Sequence, residues 1–457
     1  MLKKTIEYGL YLLVFLLPWQ TRWIIRGGEI EYSRISLYGV DILLLVLVGL
    51  FIVYQLRIKD KALIPEFSRV KPGTTKWWLV GFLELIIFVS IFFASDKILA
   101  LYRYGVFLLG VGFFWLIVAF KYDRVKFVRS LLVGILLQAC LGIWQFLMQS
   151  SFANKWLGMA LHNPSELGVS VIETIGPDGI RERWLRAYGG MEHPNVLGGM
   201  LVVGVLLLVS LLFQKKFSIS NFQFSKNFQF LIFNFQGLIY VFFVIFIMAI
   251  FFTFSRGAWI SVSGGVILML FWSVFRKDLW VQKNVLQIIL VSIILAAVLY
   301  SQFGNLVITR LTKDSRLEIM SSQERIASFK DAKELIKENA FTGIGIGNYS
   351  LAMSKHAPER QAWEYQPVHN VFLLVWAEVG ILGLLGFLGL LGYLGWTCIR
   401  KKNIIGLSLL LALVIMMSVD HWFWSLHFGV IFTWLVFGLI LSNPQINKSA
   451  HKFTNTN

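Results

Sequence analysis

The sequence predicts an all-α polytopic membrane protein, and three observations predict that class. Hydrophobic residues make up 57% of the 457 residues, and charged residues only 15%. In soluble domains, roughly 45–50% of the residues are apolar and about 25% are charged. The mean hydropathy is +0.70. About twelve apolar stretches approach the roughly 20 residues that a helix needs to cross a bilayer. Residues 1–457 are therefore predicted to form a single integral membrane domain.

The predicted transmembrane helices follow the apolar stretches along the chain. They are expected at roughly residues 6–19, 37–56, 77–94, 101–120, 127–149, 195–213, 231–253, 257–275, 284–302, 370–396, 404–419 and 423–441. The first follows Lys3 and Lys4 and precedes PWQTRW, with no small-residue cleavage site, so a retained helix is expected and not a signal peptide. Cys140 and Cys398 lie in apolar stretches and are interpreted as small membrane-helix residues.

The net charge of +17 is explained by membrane topology. Short loops rich in Lys and Arg stay in the cytoplasm. With the N-terminus inside, the basic loops 57–76, 121–129, 214–230, 276–283 and 400–403 are all cytoplasmic, and so is the C-terminus. The excess charge also favours anionic membrane lipids as partners. The sequence has no basic stripe with interleaved aromatic residues, so no nucleic-acid partner is expected.

The same topology brings three polar regions to the outer face of the membrane. They are the loop 150–194, the tight turn 253–259 and the long loop 303–369 between the ninth and tenth helices. The short basic cytoplasmic loops offer little that could build a site. The chemistry is therefore expected outside the cytoplasm, where neither ATP nor nucleotide sugars are present.

The large outer loop 303–369 is predicted to be partly helical, because residues 314–339 contain strong helix formers and neither Gly nor Pro. The apolar residues of this segment recur at amphipathic helical spacing: Ile326, Phe329, Ala332 and Ile336. Arg325 shares a stripe with Phe329 and Ala332 and therefore leans toward the packed side, where an unpaired arginine is costly. An anionic ligand or a neighbouring Glu would equally satisfy it.

The segment FTGIGIGNYS ends this predicted helix. Its alternating glycines, Gly343, Gly345 and Gly347, admit two interpretations. They could form a backbone nest that cradles phosphate, or a tight connection without a ligand, which is the more frequent outcome. A dinucleotide fingerprint is excluded because no strand–turn–helix unit surrounds them.

Two short segments at the edges of apolar stretches carry the strongest candidate residues. Arg256 in FTFSRGAW has almost no loop around it, and ionisable residues at the membrane boundary are functional candidates. Its guanidinium fork matches phosphate geometry, although a headgroup anchor is the alternative. His369 precedes the tenth helix, and histidine is the best general base near neutral pH. Asn370 could orient a sugar hydroxyl or fix the histidine tautomer.

The segment RAYGGMEHPNVLGG adds candidates on the outer side of the sixth helix. Arg186, His193 and Asn195 lie there, either as site residues or as part of the helix entry. Two acidic residues, Glu84 and Glu378, fall inside apolar stretches. Glu378 is nine residues beyond His369, about 13 Å deeper along a helix, so pairing with another helix is favoured over catalysis.

Several catalytic patterns are absent from the sequence. It has no Asp-x-Asp, no P-loop, no HExxH and no Gly-x-Ser-x-Gly motif. The remaining set is two or more arginines with one base, and no metal and no cofactor is expected. Arginines suit a pyrophosphate leaving group, which needs no proton from an acid, and histidine suits activation of an attacking hydroxyl.

The order of the motifs resembles a known family. SRGAW, ERIASFKDA, FTGIGIGNY and VHNVFLLVWAEVGILGLLGFLG follow one another in the predicted topology. This arrangement, over about residues 183–396, resembles the superfamily of O-antigen ligases and O-antigen polymerases, which are bacterial envelope glycosyltransferases.

The resemblance implies metal-independent transfer of a glycan from undecaprenyl pyrophosphate to an acceptor hydroxyl on the periplasmic face of the inner membrane. Arg256 and Arg325 would hold the pyrophosphate and His369 would be the base. Arg186 and Asn195 would support the site, and His193 is either incidental or a second titrating group. The implied partners are a lipid-linked oligosaccharide donor and a glycan or lipid A core-type acceptor.

Three alternatives stay open from the sequence: a polymerase, a transporter or flippase, and a non-catalytic scaffold of the cell envelope. Ligases and polymerases share these motifs, so a polymerase of O-antigen or exopolysaccharide is equally compatible with them. A secondary transporter or flippase also fits twelve helices, with Glu84 and Glu378 as a proton relay. Against a transporter, no internal repeat is evident and the polar residues concentrate in outer loops.

Overall fold

The computed structural model describes residues 1–59, 77–175, 179, 181–213, 235–312 and 315–442. The predicted cytoplasmic loop 214–230, most of the loop 57–76 and the carboxyl-terminal residues after 442 lie outside the described residues.

The described chain is built mainly from helices. They are α1 (Leu2–Leu16), α2 (Gly39–Lys59), α3 (Trp77–Ser90), α4 (Lys97–Ala119), α5 (Arg124–Met148), α6 (Pro194–Leu212), α7 (Phe235–Thr253), α8 (Arg256–Phe275), α9 (Leu279–Thr312), α10 (Arg316–Asn339), α11 (Tyr349–His356), α12 (Val371–Arg400), α13 (Ile404–Val419), α14 (Trp422–Ser425) and α15 (His427–Ser442). Each of the twelve predicted apolar stretches overlaps one of these helices. Among the described residues, seven helical segments are long and apolar enough to cross a membrane. The predicted class, an all-α polytopic membrane protein, is confirmed.

Two short antiparallel hairpins accompany the helices in the described chain. Strand β1 (Arg22–Arg26) pairs with β2 (Ile35–Tyr38), and β3 (Val171–Ile175) pairs with β4 (Arg181–Leu185). Both hairpins lie in connections between helices, and β3–β4 belongs to the predicted outer loop 150–194.

Helix α6 lies at the centre of the bundle. Within its span, 94% of the residues are buried, and it packs against α5, α7, α8 and α13. Gly199 permits close packing, because a Cβ atom there would lie 2.4 Å from the ring of Trp422. The amino-terminal end of α6 is therefore fixed beneath the polar connections that surround it.

The three predicted outer regions meet at one end of the bundle. Nε of Arg186 donates to the carbonyl of Thr253 at 2.7 Å, which joins the loop 150–194 to the turn before α8. Nη1 of Arg256 donates to the carbonyl of Arg310 at 2.9 Å, which joins that turn to the end of α9. At the opposite end, the amide of Asp123 before α5 donates to Glu7 of α1 at 3.1 Å.

The long region 303–369 is more helical than its predicted description as a loop. Helix α9 continues through a kink at Phe303 (φ −122°, ψ 23°) to Thr312, and α10 then matches the amphipathic helix expected over 314–339. Ala332 is buried, as expected, but Ile326 is 59% exposed and Phe329 is 41% exposed, so that part of the predicted apolar face is wrong. In the first half of α10 the buried side chain is instead that of Glu318, which pairs with Arg310.

The glycine-rich segment after α10 forms a tight connection. Gly345 has a φ of 92°, in the left-handed region that favours glycine. The amides of Ile344 and Gly345 donate to the carbonyls of Ala377 and Glu378, each at 2.9 Å. Those carbonyls precede a break in α12 at Gly380 (φ 77°, ψ 178°). These two amides are therefore occupied by α12, which favours the tight connection over the phosphate nest.

Candidate functional site

A cavity of about 260 Å³ with several charged lining residues lies where the three predicted outer regions meet. Residues of α8, α9, α10 and α13, together with the start of α6, line it. Its polar lining residues are Asn195, Ser255, Arg256, Arg310, Arg325 and Asp420. Arg256, Arg325 and Asn195 were predicted from the sequence as site residues, and the structure brings all three to this cavity.

Arg256 owes its position to a sharp turn between two helices. Phe254 has a φ of 47°, and the Oγ of Ser255 caps α8 by accepting from the amide of Ala258 at 3.4 Å. Arg256 is therefore the first residue of α8. Its side chain is 21% exposed, which leaves part of the guanidinium group accessible from the cavity.

Arg310 lines the cavity and Glu318 pairs with it, although the sequence reasoning missed both residues. Nε of Arg310 donates to the carbonyl of Phe254 at 3.0 Å, and its Nη1 forms an ion pair with Oε1 of Glu318. Oε2 of Glu318 lies 3.5 Å from Nη1 of Arg256. The arginine at the end of the apolar run NLVITRLT was the available signal, and it resembled an ordinary helix-end anchor.

Arg325 reaches the cavity from α10. Its Nε atom is buried without a hydrogen-bond partner, and within the described part of the chain its side chain forms no ion pair. The sequence allowed either an anionic ligand or a neighbouring Glu as the partner of Arg325. Among the described residues, no Glu forms an ion pair with it. A guanidinium group of this kind is suited to bind an anion.

Arg186 and Asn195 connect the arginines to the acidic side of the cavity. Arg186 is buried, and its Nη1 and Nη2 donate to Oγ of Ser170 at 2.6 Å and to Oδ1 of Asn195 at 3.0 Å. Burial, and then the charge of Arg310, hold the pKa of Arg186 well below its usual range. Nδ2 of Asn195 donates to Oδ2 of Asp420 at 2.7 Å. A continuous polar chain therefore runs from Arg186 to Asp420.

Asp420 places His369 beside the cavity. Nδ1 of His369 lies 3.7 Å from Oδ1 of Asp420, and the rings of His369 and His421 are 5.0 Å apart. Burial alone would raise the pKa of Asp420, but His369 and His421 hold it well below its usual range. Burial lowers the pKa of His421 to about 3. An ionised carboxylate thus faces one side of the His369 ring.

The same three groups have the spacing of possible metal ligands. One ligand atom each of His369, Asp420 and His421 lies within 4.8 Å of the others. Two of the groups are also partnered without a metal, because His421 shares a 2.6 Å hydrogen bond with Ser425 and Asp420 accepts from Asn195. Nδ1 of His369 is buried without a hydrogen-bond partner. A cation here would have to replace the contact between His369 and Asp420.

Two predicted supporting residues serve as helix caps. Nδ1 of His193 accepts from the amide of Asn195 at the start of α6, at 3.1 Å. Burial, then Arg186, hold the pKa of His193 well below its usual range. Oδ1 of Asn370 accepts from the amide of Leu373 at the start of α12, at 3.0 Å. The contact of His193 matches the helix-entry alternative, and neither His193 nor Asn370 lines the cavity.

The two intramembrane acids lie apart from the cavity lining. Oε2 of Glu378 accepts from the indole N–H of Trp424 at 2.8 Å, and Oε1 accepts from the amide of Tyr349 at 3.4 Å. This is the pairing with another helix that the sequence favoured over catalysis. Glu84 lies half-buried in α3.

An apolar cleft of about 630 Å³ lies on the side of the bundle formed by the helices that carry Arg256 and Arg310. It is lined by α7, α8 and α9 and includes Trp259 and Val307. Trp259 is three residues after Arg256, and Val307 is three residues before Arg310, so each shares a helix face with its arginine. The cleft therefore ends at the positively charged part of the site.

Fold and site together define a polytopic helical membrane protein with an arginine-rich cavity at the end of an apolar cleft. Residues 241–388 match the family model described as O-Antigen ligase. Over 174 residues the chain is 29% identical to the O-antigen ligase of Salmonella typhimurium, a match that covers 35% of this chain and 38% of that protein. Both matches support the O-antigen ligase superfamily, which the order of the motifs also resembles.

These matches favour glycan transfer over the transporter alternative as the activity to propose. The chain matches less than half of the length of this relative, so the substrates and the residue roles are proposals.

Proposed function

We propose that the protein transfers a glycan from an undecaprenyl-pyrophosphate-linked donor to an acceptor hydroxyl. The observation that carries this proposal is the arrangement of one cavity, in which Arg256, Arg310 and Arg325 face a carboxylate that contacts His369. A cation cluster suits the pyrophosphate, and a histidine at its edge suits the attacking hydroxyl.

The pyrophosphate is held by guanidinium groups. Arg256 is partly exposed to the cavity, and Arg325 is without an ionic partner in the described chain, so both offer hydrogen-bond donors to phosphate oxygens. Arginine stays charged and presents its donors as a rigid fork. As the glycosyl bond breaks, this charge stabilises the leaving pyrophosphate, which therefore needs no proton from an acid.

The isoprenoid chain of the donor lies in the apolar cleft of α7, α8 and α9. This cleft is lined by apolar side chains such as Phe243, Phe251 and Ile293, and it includes Trp259, about one helical turn from Arg256. A hydrocarbon chain in the cleft would place its pyrophosphate at the arginines.

His369 acts as the general base. Its Nδ1 faces Asp420, so Nε2 is the atom that takes the proton of the acceptor hydroxyl. The acceptor oxygen then forms a bond to the anomeric carbon of the sugar, and the bond from that carbon to the pyrophosphate breaks. Attack opposite the leaving group inverts the anomeric centre. Asp420 stabilises the imidazolium that forms.

The reaction takes place on the outer, periplasmic face of the inner membrane, with both termini in the cytoplasm. The basic connections at the other end of the bundle, with Arg276, Lys277, Arg400, Lys401 and Lys402, support this orientation. No metal is required in this scheme. The acceptor is a lipid A core-type glycan in a ligase and a second lipid-linked glycan in a polymerase.

Reconstitution tests the proposal. The purified protein, placed in liposomes with an undecaprenyl-pyrophosphate-linked oligosaccharide, should join that glycan covalently to one member of an acceptor panel. The panel includes a lipid A core and a second lipid-linked oligosaccharide, which separates ligase from polymerase. Movement of the donor across the bilayer without covalent transfer would contradict the proposal.

A further inference from the structure

A buried gap separates His369 from Asp420 at the edge of the cavity. Nδ1 of His369 is buried without a hydrogen-bond partner and lies 3.7 Å from Oδ1 of Asp420, which is longer than a hydrogen bond. One ligand atom each of these two residues and of His421 lies within 4.8 Å of the others. A buried polar atom without a partner is costly, so the gap suits a ligand that all three side chains can bind.

His421 is held in the way that a metal-bound histidine is held. Its Nδ1 shares a 2.6 Å hydrogen bond with Oγ of Ser425, and that hydroxyl donates its one hydrogen to the carbonyl of His421 at 3.1 Å. Nδ1 is therefore the donor, and Nε2 carries the lone pair. Histidines that bind a metal through one ring nitrogen use the other nitrogen for a hydrogen bond of this kind.

Asp420 supplies an anionic ligand between the two rings. Its Oδ2 accepts from Nδ2 of Asn195 at 2.7 Å, and its Oδ1 accepts from the amide of His421 at 2.8 Å. Each carboxylate oxygen has two lone pairs, so Oδ1 can also bind a cation on the side of His369. Bonds of about 2.0–2.2 Å from a tetrahedral Zn²⁺ place two ligands roughly 3.3–3.6 Å apart. The 3.7 Å separation between His369 and Asp420 is close to this spacing.

We propose that His369, Asp420 and His421 form a binding site for Zn²⁺ and that the bound ion blocks glycan transfer. Two imidazoles and one carboxylate favour a transition metal, whereas Mg²⁺ and Ca²⁺ prefer oxygen ligands. Three protein ligands leave a fourth position for water, as in open zinc sites. Glu324 interacts electrostatically with His369 and favours the ion. Arg325 interacts with His421 and opposes it.

A bound Zn²⁺ would disable the proposed base. This blocking rests on the proposed function, because it takes His369 to be the base, whereas the metal site does not depend on it. The ion places positive charge against Nδ1 of His369 and takes over Asp420, so Nε2 becomes a weaker base. A positioned base contributes about 10²–10⁴-fold. Saturating Zn²⁺ should therefore lower the transfer rate by at least about 10²-fold.

Calorimetry on the metal-free, full-length protein in detergent tests the site without any donor lipid. Wild type should bind one Zn²⁺ tightly, and an excess of Mg²⁺ should not compete. His421→Gln should weaken Zn²⁺ binding by at least about tenfold. His356→Gln is the matched control, because His356 lies in the same outer region but pairs with Glu338 at 3.3 Å. It should bind Zn²⁺ as tightly as wild type.

A second pair of variants covers the case in which His421→Gln does not fold. Asp420→Asn keeps the shape but removes the anionic ligand, so it should weaken Zn²⁺ binding to a similar extent. Asp331→Asn is its control, because Asp331 pairs with Arg360 at 2.7 Å. Zn²⁺ affinity equal to that of wild type in His421→Gln, or in Asp420→Asn in its place, would overturn the site.

The blocking is measured as the transfer rate of wild type with and without saturating Zn²⁺. Tight binding with undiminished transfer would overturn the blocking. Zn²⁺ binding that depends on His421, in a protein that transfers no glycan even without Zn²⁺, would support the site. It would contradict the proposed function and the blocking with it.

Discussion

Nδ1 of His369 lies 3.7 Å from Oδ1 of Asp420, and Asp420 lines the same cavity as Arg256 and Arg325. This relationship connects a base on the connection before α12 with cations from α8 and α10. The other carboxylate oxygen of Asp420 is fixed by Asn195 at 2.7 Å. Asp420 is therefore expected to orient the ring of His369, so that its second nitrogen faces the acceptor.

Asp420→Asn should slow transfer without weakening donor binding. An asparagine retains the shape but neither fixes the histidine tautomer nor stabilises the imidazolium, so kcat should fall about 10- to 10³-fold. The affinity for undecaprenyl pyrophosphate, measured by calorimetry, should stay within about twofold of wild type. Asp331→Asn serves as a control with unchanged kcat. Equal kcat values for Asp420→Asn and wild type would exclude this positioning role.

Arg256→Lys should lose most of its donor affinity although the charge is kept. A lysine offers a point charge in place of a planar fork, and a lost charge-assisted hydrogen bond corresponds to about a 10- to 100-fold weaker interaction. The expected result is a fall of that size in kcat/KM for the lipid-linked donor. A lysine variant as active as wild type would show that Arg256 is only an anchor at the headgroup level.

The stability of the protein should decrease in mild acid, partly through His162. Burial lowers the pKa of this residue, which stacks on Tyr188 at 3.8 Å, to about 4. The unfolded chain takes up a proton near pH 6.5 and the folded protein does not, so the stabilising contribution is complete above about pH 6.5 and is lost as the pH falls toward 4. The loss from this group approaches about 1.4 kcal/mol per pH unit within that window.

His162→Phe isolates this contribution, because phenylalanine keeps the stack but does not titrate. As the pH is lowered from 7 to 4.5, the thermal midpoint measured in detergent should fall less for His162→Phe than for wild type. At pH 8 both side chains are uncharged, so the difference measured there is the reference. Parallel pH curves for the two proteins would contradict the prediction.

Gly380→Ala should destabilise the fold. Gly380 has a φ of 77°, and a Cβ atom there would lie 2.1 Å from the carbonyl oxygen of Phe341. The combined strain and clash correspond to about 2–4 kcal/mol, measured as a lower thermal midpoint in detergent. Gly392→Ala is the control in the same helix, because no atom lies within 4 Å of its added Cβ. If Gly380→Ala were as stable as Gly392→Ala, the break in α12 would accommodate the added Cβ atom and the prediction would be wrong.

The apolar runs predicted the helices well, because membrane burial leaves a strong compositional signal. They did not predict the continuation of α9 to Thr312 or the break at Gly380, since both depend on contacts between distant segments. The same limit explains why the burial predicted for Ile326 is wrong. Its spacing fits the apolar face of a helix, but its side chain is exposed.

Part of the candidate site was also accessible from the sequence. Arg256, Arg325 and Asn195 stand in motifs at the ends of apolar runs, and all three line the cavity. Asp420 was missed because SVDHWFW resembles an ordinary turn between the last two apolar stretches. Only the fold shows that this turn lies beside the start of α6.

The most direct test of the central claim is glycan transfer by His369→Ala in the reconstituted system, measured together with its affinity for undecaprenyl pyrophosphate. His356→Ala, in the same outer region but paired with Glu338 at 3.3 Å, is the matched control. The account predicts a transfer rate about 10²- to 10⁴-fold below wild type with donor affinity unchanged. Transfer by His369→Ala at a rate near that of wild type would contradict it.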